Sequence, residues 1–174
     1  MKKRIVLALK RMLSLKKSKY IFDENNLEVI FTNEVRKKLN KYRQVKDVHF
    51  EEGGQLMGEL YPAINKIIVT EVVMCKYIIQ DKYGVVLDGK CLNKKMKKVW
   101  RKSKGNTTYL GDWHTHPQAI AKPSGQDKET FEDNYWDVSI EQNVVLYLIL
   151  GNEKKDWLKS YNGKHFKSAI LVDK

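Results

Sequence analysis

The chain of 174 residues is long enough to bury one hydrophobic core and too short for two ordinary domains, and its 42% hydrophobic and 31% charged residues are those of a globular protein rather than a disordered one. No apolar stretch reaches the length needed to span a bilayer, so no transmembrane segment is expected, and Lys10 and Arg11 interrupt the apolar start before any small-residue cleavage site, which argues against secretion. The net charge of +12 is uneven: eight Lys or Arg and no acid fall in residues 1 to 20, leaving 25 basic and 21 acidic residues elsewhere, and eight cations cluster between residues 90 and 104.

Such clusters can attract nucleic acid, anionic lipid or an acidic protein partner. A floppy basic arm and a solvated helix face are the simpler readings. No helix-turn-helix, zinc finger or base-stacking aromatic motif accompanies the clusters, which weakens the case for nucleic acid. Residues 1–20 read as a basic amino-terminal arm or helix, and residues 21–174 as the single domain. Cys75 and Cys91 stand alone with no CxxC neighbour, which suggests neither a disulfide framework nor a cysteine zinc site and fits a reducing, cytoplasmic setting.

In chain order, Ile5, Leu9, Met12 and Leu13 are spaced for one face of a short basic helix over residues 4 to 17. Residues 27 to 31 alternate as a strand. Thr32 or Asn33 can cap a helix running to about Tyr42, with Val35 and Leu39 on one side. Residues 50 to 61 read as a strand entered through Gly53 and Gly54, residues 62 to 65 as a turn, and the β-branched run from Lys66 to Met74 as its hairpin partner. Tyr77 to Asp88 holds another strand, broken at Gly84. A basic helix follows from Leu92 to Lys102, with Leu92, Met96 and Val99 or Trp100 inward, ended by Gly105 and Asn106. Residues 108 to 116 form a strand that delivers its end to a loop containing Pro117 and Pro123, and a helix runs from Ser124 to about Tyr135. The apolar run Asn143 to Leu150 is the most buried strand, and a hairpin of 157–161 and 165–172 turns on Asn162 and Gly163. The sum is an α/β fold around a mixed β-sheet flanked by helices.

The chemistry concentrates in residues 114 to 127. His114 and His116, one residue apart on a strand, point to the same side. Neutral imidazoles are good zinc ligands, and a catalytic zinc takes three protein ligands and keeps a fourth position open. Asp127, in the first turn of the helix behind Pro117 and Pro123, can supply the third. Each part has a plain alternative. Ser124-Gly-Gln-Asp127 is also an ordinary helix cap with an acid near the positive end of the dipole, and a His-x-His pair occurs without metal. Their joint spacing, in a chain with only four histidines, carries the reading; His49 and His165 stand without partners and are taken as structural or surface residues. Peptide cleavage also needs a proton acceptor. Glu51 and Glu52, before Gly53 and Gly54, are candidates that periodicity alone does not bring to the metal.

Glu51-Glu-Gly-Gly-Gln-Leu-Met-Gly58, then His114-Thr-His-Pro117, then Ser124-Gly-Gln-Asp127 together resemble the JAMM/MPN+ metallopeptidases, whose pattern is Glu, His-x-His, seven residues, Ser-x-x-Asp. The resemblance covers residues 27 to 172 and implies a single MPN domain of cytidine-deaminase-like α/β fold. It also implies Zn2+ on His114, His116 and Asp127, Glu51 rather than Glu52 as catalytic base, and Ser124 as the residue that polarises the carbonyl and stabilises the oxyanion. The residues framing the motif are similar to the bacterial stand-alone branch found in antiphage operons. That branch implies a cytoplasmic isopeptidase whose partner is a protein conjugated through its C-terminus, a CD-NTase or a ubiquitin-like protein. Three other readings compete: a non-catalytic MPN scaffold, which would lack motif residues that are all present here; a basic nucleic-acid-binding adaptor with structural zinc; and the same chemistry on a sulfur-carrier protein or small amide.

Overall fold

The computed structural model describes residues 17–22, 26–46, 49–137 and 144–173. The helix expected over residues 4 to 17 lies outside them, except that Lys17 opens a strand. The elements in chain order are β1 (Lys17–Phe22), β2 (Leu27–Thr32), α1 (Asn33–Asn40), β3 (Gly53–Tyr61), a 3-10 turn (Pro62–Ile64), β4 (Lys66–Val73), β5 (Tyr77–Gln80), β6 (Val85–Leu87), α2 (Gly89–Lys102), β7 (Thr108–Thr115), α3 (Gly125–Asp137), β8 (Val145–Leu150), β9 (Trp157–Tyr161), β10 (Phe166–Ser168) and β11 (Ile170–Asp173).

Local chemistry accounts for the element ends. Thr32 Oγ1 accepts from the Val35 amide at 3.4 Å and caps α1, and Val35 and Leu39, one turn apart, bury the inner side of that helix. Asp88 caps α2 by accepting from the Cys91 amide at 3.0 Å, while Gly105 at φ +78° releases the chain after it. In the 77–88 region Asp81 and Gly84 form a turn, so the expected broken strand is a separate β5–β6 hairpin. Trp100 is 52% exposed, which leaves Met96 and Val99 as the inward residues after Leu92.

Nine strands form one mixed sheet in the order β10-β9-β8-β7-β3-β4-β2-β1-β11, with β2–β4 and β7–β8 parallel and the other pairs antiparallel. β10 and β11 sit at opposite ends of that order, yet only Ala169 separates Ser168 from Ile170. Two residues span about 7 Å at most. The sheet therefore curls until its edges meet, and the segment 166–173 stitches β9 to β1; the expected closing hairpin is only its first half.

Alternation along the strands sorts the core to two faces. Leu56, Leu110, Trp113, Leu146 and Leu148 join Val35 and Leu39 of α1 on one face. On the other, Met57 and Val73 pack with Leu92 of α2, and Val145, Tyr147 and Ile149 pack with Phe131 of α3. Helices α2 and α3 thus flank a cleft on the face opposite α1. One expectation is corrected here: Cys75 and Cys91 are joined in a disulfide, Cα–Cα 6.1 Å, because the fold returns the first turn of α2 to the end of β4. A pairing of this kind depends on a tertiary contact that the spacing of two isolated cysteines does not reveal. It also removes the cysteine argument for a reducing compartment. Among the described residues no helix is long and apolar enough to cross a membrane.

Candidate active site

The floor of the cleft is the β3–β7 pair. Gly53 lies directly opposite His114 and Gln55 opposite Asp112, so these four positions share one face. Trp113, one residue out of phase, is buried in the core beneath, as strand alternation predicts. Gly53 leaves room that a side chain would fill: a Cβ there would stand 3.2 Å from Val85 Cγ1 and 3.4 Å from His114 Cβ. With the β5–β6 hairpin above it, the floor forms part of a cleft of about 610 Å3 lined by Glu51, His114, His116, Ser124 and Asp127, among others. All five residues singled out in the sequence are brought to one cavity.

The two imidazoles converge. His114 Nε2 lies 3.1 Å from His116 Nε2, and the Asp127 carboxylate reaches His114 Nε2 at 3.2 Å and His116 Nε2 at 3.4 Å. Asp127 is held in place by a reciprocal cap. Its Oδ2 accepts from the Ser124 amide at 2.6 Å and from Ser124 Oγ at 2.7 Å, and its own amide donates to Ser124 Oγ at 3.1 Å. Ser124 and Asp127 thus form the helix cap, and the same geometry keeps the Asp127 carboxylate beside both imidazoles. Glu51 comes from the other side, with a carboxylate oxygen and both imidazole nitrogens within 4.8 Å of one another. Two imidazole nitrogens that converge edge to edge beside a carboxylate make a donor set suited to a divalent metal ion, and the residues present fit one.

Glu51 and Glu52 part company in the structure. The Tyr77 hydroxyl donates to the Glu52 carboxylate, which occupies it beneath the hairpin, whereas Glu51, 5% exposed, faces the histidines. The backbone around Glu51 is fixed from several directions. Its amide donates to the Asp81 carbonyl at 2.7 Å and its carbonyl accepts from Gln80 Nε2 at 2.9 Å. Thr115 Oγ1 accepts from the Glu52 amide at 3.0 Å and donates to buried Gln44 Oε1 at 2.9 Å. Gln44, Thr115 and Tyr77 therefore position this segment. Nothing in their local spacing marks them, since their partners are distant in sequence.

The electrostatics divide the acids by environment. Burial pushes the Glu51 carboxyl up to about 7, helped by the charges of Asp127 and Asp81 and opposed by His116. Asp127 is desolvated too, yet hydrogen bonds from both histidines and Ser124 hold it well below the usual carboxylate range. For His114 burial outweighs the pull of Asp127 and lowers its pKa; for His116 Asp127 and Glu51 outweigh burial and raise it. A second acid, Asp112, lies two residues before His114 on the same face. Burial raises it to about 6, against hydrogen bonds from Tyr109, at 2.8 Å, and from Asn134 of α3. Asp127, Phe131 and Asn134 follow one another at i, i+4 and i+7 on α3. Phe131 packs on the His114 ring at 5.8 Å and on Tyr147 at 4.2 Å, so a single helix face meets the histidine strand along its length.

The family profile for prokaryotic homologs of the JAB domain matches residues 42–162, the span that contains this entire site. The chain belongs to that family. The chain is 27% identical over 149 residues to an Escherichia coli protein named CD-NTase/cGAS isopeptidase, covering 85% of this chain and 88% of that one. A Vibrio cholerae protein of the same name is 28% identical over 158 residues, 87% and 91% of the two chains. The solution structure of a Desulfitobacterium hafniense protein superposes with a TM-score of 0.51 over 82% of this chain and 88% of the other at 19% identity, which shows a likeness of fold alone.

Proposed function

We propose that this JAB protein is a zinc-dependent deconjugating isopeptidase that hydrolyses the bond joining a protein, through its C-terminus, to a target. The observation that carries the reading is the meeting of Glu51, His114, His116 and Asp127 in one cleft. The relatives named CD-NTase/cGAS isopeptidases support a conjugated CD-NTase as substrate; the antiphage setting is part of the proposal through the residues that frame the motif.

His114, His116 and Asp127 would hold the zinc. When bound, zinc lowers the pKa of a water molecule and polarises a carbonyl oxygen. Glu51, whose buried carboxyl titrates near neutrality, is matched to taking a proton from the attacking water and returning it to the departing amine. Ser124 has one hydroxyl hydrogen. Donated to Asp127 it steadies that ligand; turned to the substrate oxygen it would stabilise the charge developing there.

The test is incubation with a CD-NTase conjugated through its C-terminus, with and without chelator. Cleavage is expected only without chelator. Glu51→Ala should keep its metal content and lose at least about a hundredfold in rate, as expected for a general acid-base group. Asp127→Ala should lose zinc occupancy, read by elemental analysis. An active Glu51 variant would sink the mechanism.

A further inference from the structure

Helix α2 and the β5–β6 hairpin form a composite surface that the cleavage chemistry does not use. Between Gly89 and Lys102, α2 carries seven Lys or Arg and no acid. Its apolar positions, Leu92, Met96 and Val99, face the body, so the cations are turned outward; Lys94, Lys97, Lys98 and Arg101 are all exposed. Among the described residues none of these cations is in a salt bridge. Gly89 and Leu92, at the start of the helix, line the catalytic cleft, so the basic stripe leads away from the reacting centre.

The neighbouring hairpin has the opposite character. Ile78 is 65% exposed, Ile79 58%, Tyr83 76% and Val86 46%, while Tyr83, Val85 and Leu87 line the cleft. The Cys75–Cys91 disulfide joins the base of the hairpin to the first turn of α2, so the apolar and basic halves are held as one unit. A nucleic acid would find a row of phosphate partners along the helix, but on the hairpin only Lys82, set beside Asp81, among the exposed apolar side chains of Ile78, Ile79 and Val86. An apolar centre bordered by charge is the make-up of a protein interface.

We infer that this composite face docks the folded body of the protein substrate, through an apolar patch on the hairpin and an acidic surface along α2. This rests on the isopeptidase reading and names a property of its substrate. The acidic surface steers the conjugate to the cleft and holds it while the linked tail enters.

The test uses three carriers: negatively supercharged, near-neutral and positively supercharged fluorescent proteins, each bearing the same C-terminal tail isopeptide-linked to a lysine peptide. Electrostatic steering predicts that kcat/KM for the negative carrier exceeds that for the positive one by about tenfold or more at low salt, carried by KM, and that the gap closes as salt rises. Lys94→Glu/Lys98→Glu/Arg101→Glu should reverse the preference, and a protein that prefers the positive carrier is thereby shown to be folded. The matching triple substitution to Gln should abolish the preference. Changing Lys2, Lys3, Arg4, Lys10 and Arg11 to Gln should leave the preference in place; its loss there would move the docking charge to the amino terminus and overturn the proposal. Equal cleavage of all carriers would overturn it as well. So would strong inhibition by a DNA duplex that the α2 triple relieves while carrier preference is absent, since the surface would then serve nucleic acid. If no carrier is cut, the isopeptidase reading fails by itself. Docking is then read from carrier binding by anisotropy, where charge preference that the α2 triple reverses upholds it and its absence overturns it.

Discussion

Glu51 is held where folding disfavours its charge, and this has a measurable cost. Unfolded, it releases its proton near the ordinary value of 4.5; folded, near 7. Between those limits the folded state keeps a proton the unfolded state has lost, so stability falls as pH rises through the window and stays lower above it. Glu51→Gln keeps the shape without the charge. In chelator, the variant should therefore melt higher than the parent at pH 8, by the equivalent of about 1 to 2 kcal/mol after allowance for solvent at the cleft mouth, and the advantage should shrink toward pH 4.5. Asp127 has the opposite sign. Its carboxyl is held low by the histidines, so its contribution is present above the ordinary carboxylate value and is lost only on strong acidification. Thermal melts of Glu51→Gln and the parent at several pH values separate the two; an unchanged melting temperature at pH 8 would mean that Glu51 is less desolvated than the structure shows.

At the scale of elements, what was legible in the sequence was local. Thr32 caps α1, Val35 and Leu39 mark its inner side, and β8 is buried at every position from Val145 to Leu150, whereas Asp88, read as the end of a strand, caps a helix that starts at Gly89 rather than Leu92. β1 was not legible, because Lys17-Ser-Lys19 reads as part of a basic arm and only its pairing with β2 and β11 shows it to be a strand. The disulfide was hidden for the same reason. It closes a loop with a sequence separation of 16 that contains the whole β5–β6 hairpin. Loop-closure entropy for such a loop amounts to about 3 kcal/mol on the chain-entropy view. Reduction by a dithiol should lower the melting temperature of the parent and leave that of Cys75→Ser/Cys91→Ser unaffected. Because the hairpin also holds the Glu51 backbone, through the Asp81 carbonyl and the Gln80 side chain, reduction should lower cleavage of short substrates as well. A melting temperature indifferent to the reductant would show that the hairpin is anchored without the bond.

Across the whole molecule, the site is placed at the part of the sheet least dependent on its closure. The histidine strand β7 has β3 on one side and β8 on the other, in the middle of the nine-strand order, and the buried Arg43 guanidinium donates to both Asp156 oxygens, at 2.5 and 2.7 Å, tying the loop after α1 to the loop before β9. The seam made by residues 166–173 lies at the far edges. Glu51 entered the sequence reading through resemblance because its approach to the histidines depends on the β3–β7 register, which no local pattern encodes. The seam was missed on similar grounds, since a strand that changes partners at Ala169 looks from its sequence like one arm of a hairpin. Deleting residues 169 to 174 should leave β1 paired only with β2 and expose a new edge. The truncated chain should melt markedly lower and aggregate more readily. The affinity of the proposed zinc site, measured by competition with a chelating dye at a temperature where the chain is folded, should stay within a few-fold of the parent, because His114, His116 and Asp127 are set by β7, β8 and α3 rather than by the seam. A large loss of affinity in the folded truncated chain would instead mean that closing the sheet sets the curvature on which the convergence of the two imidazoles depends.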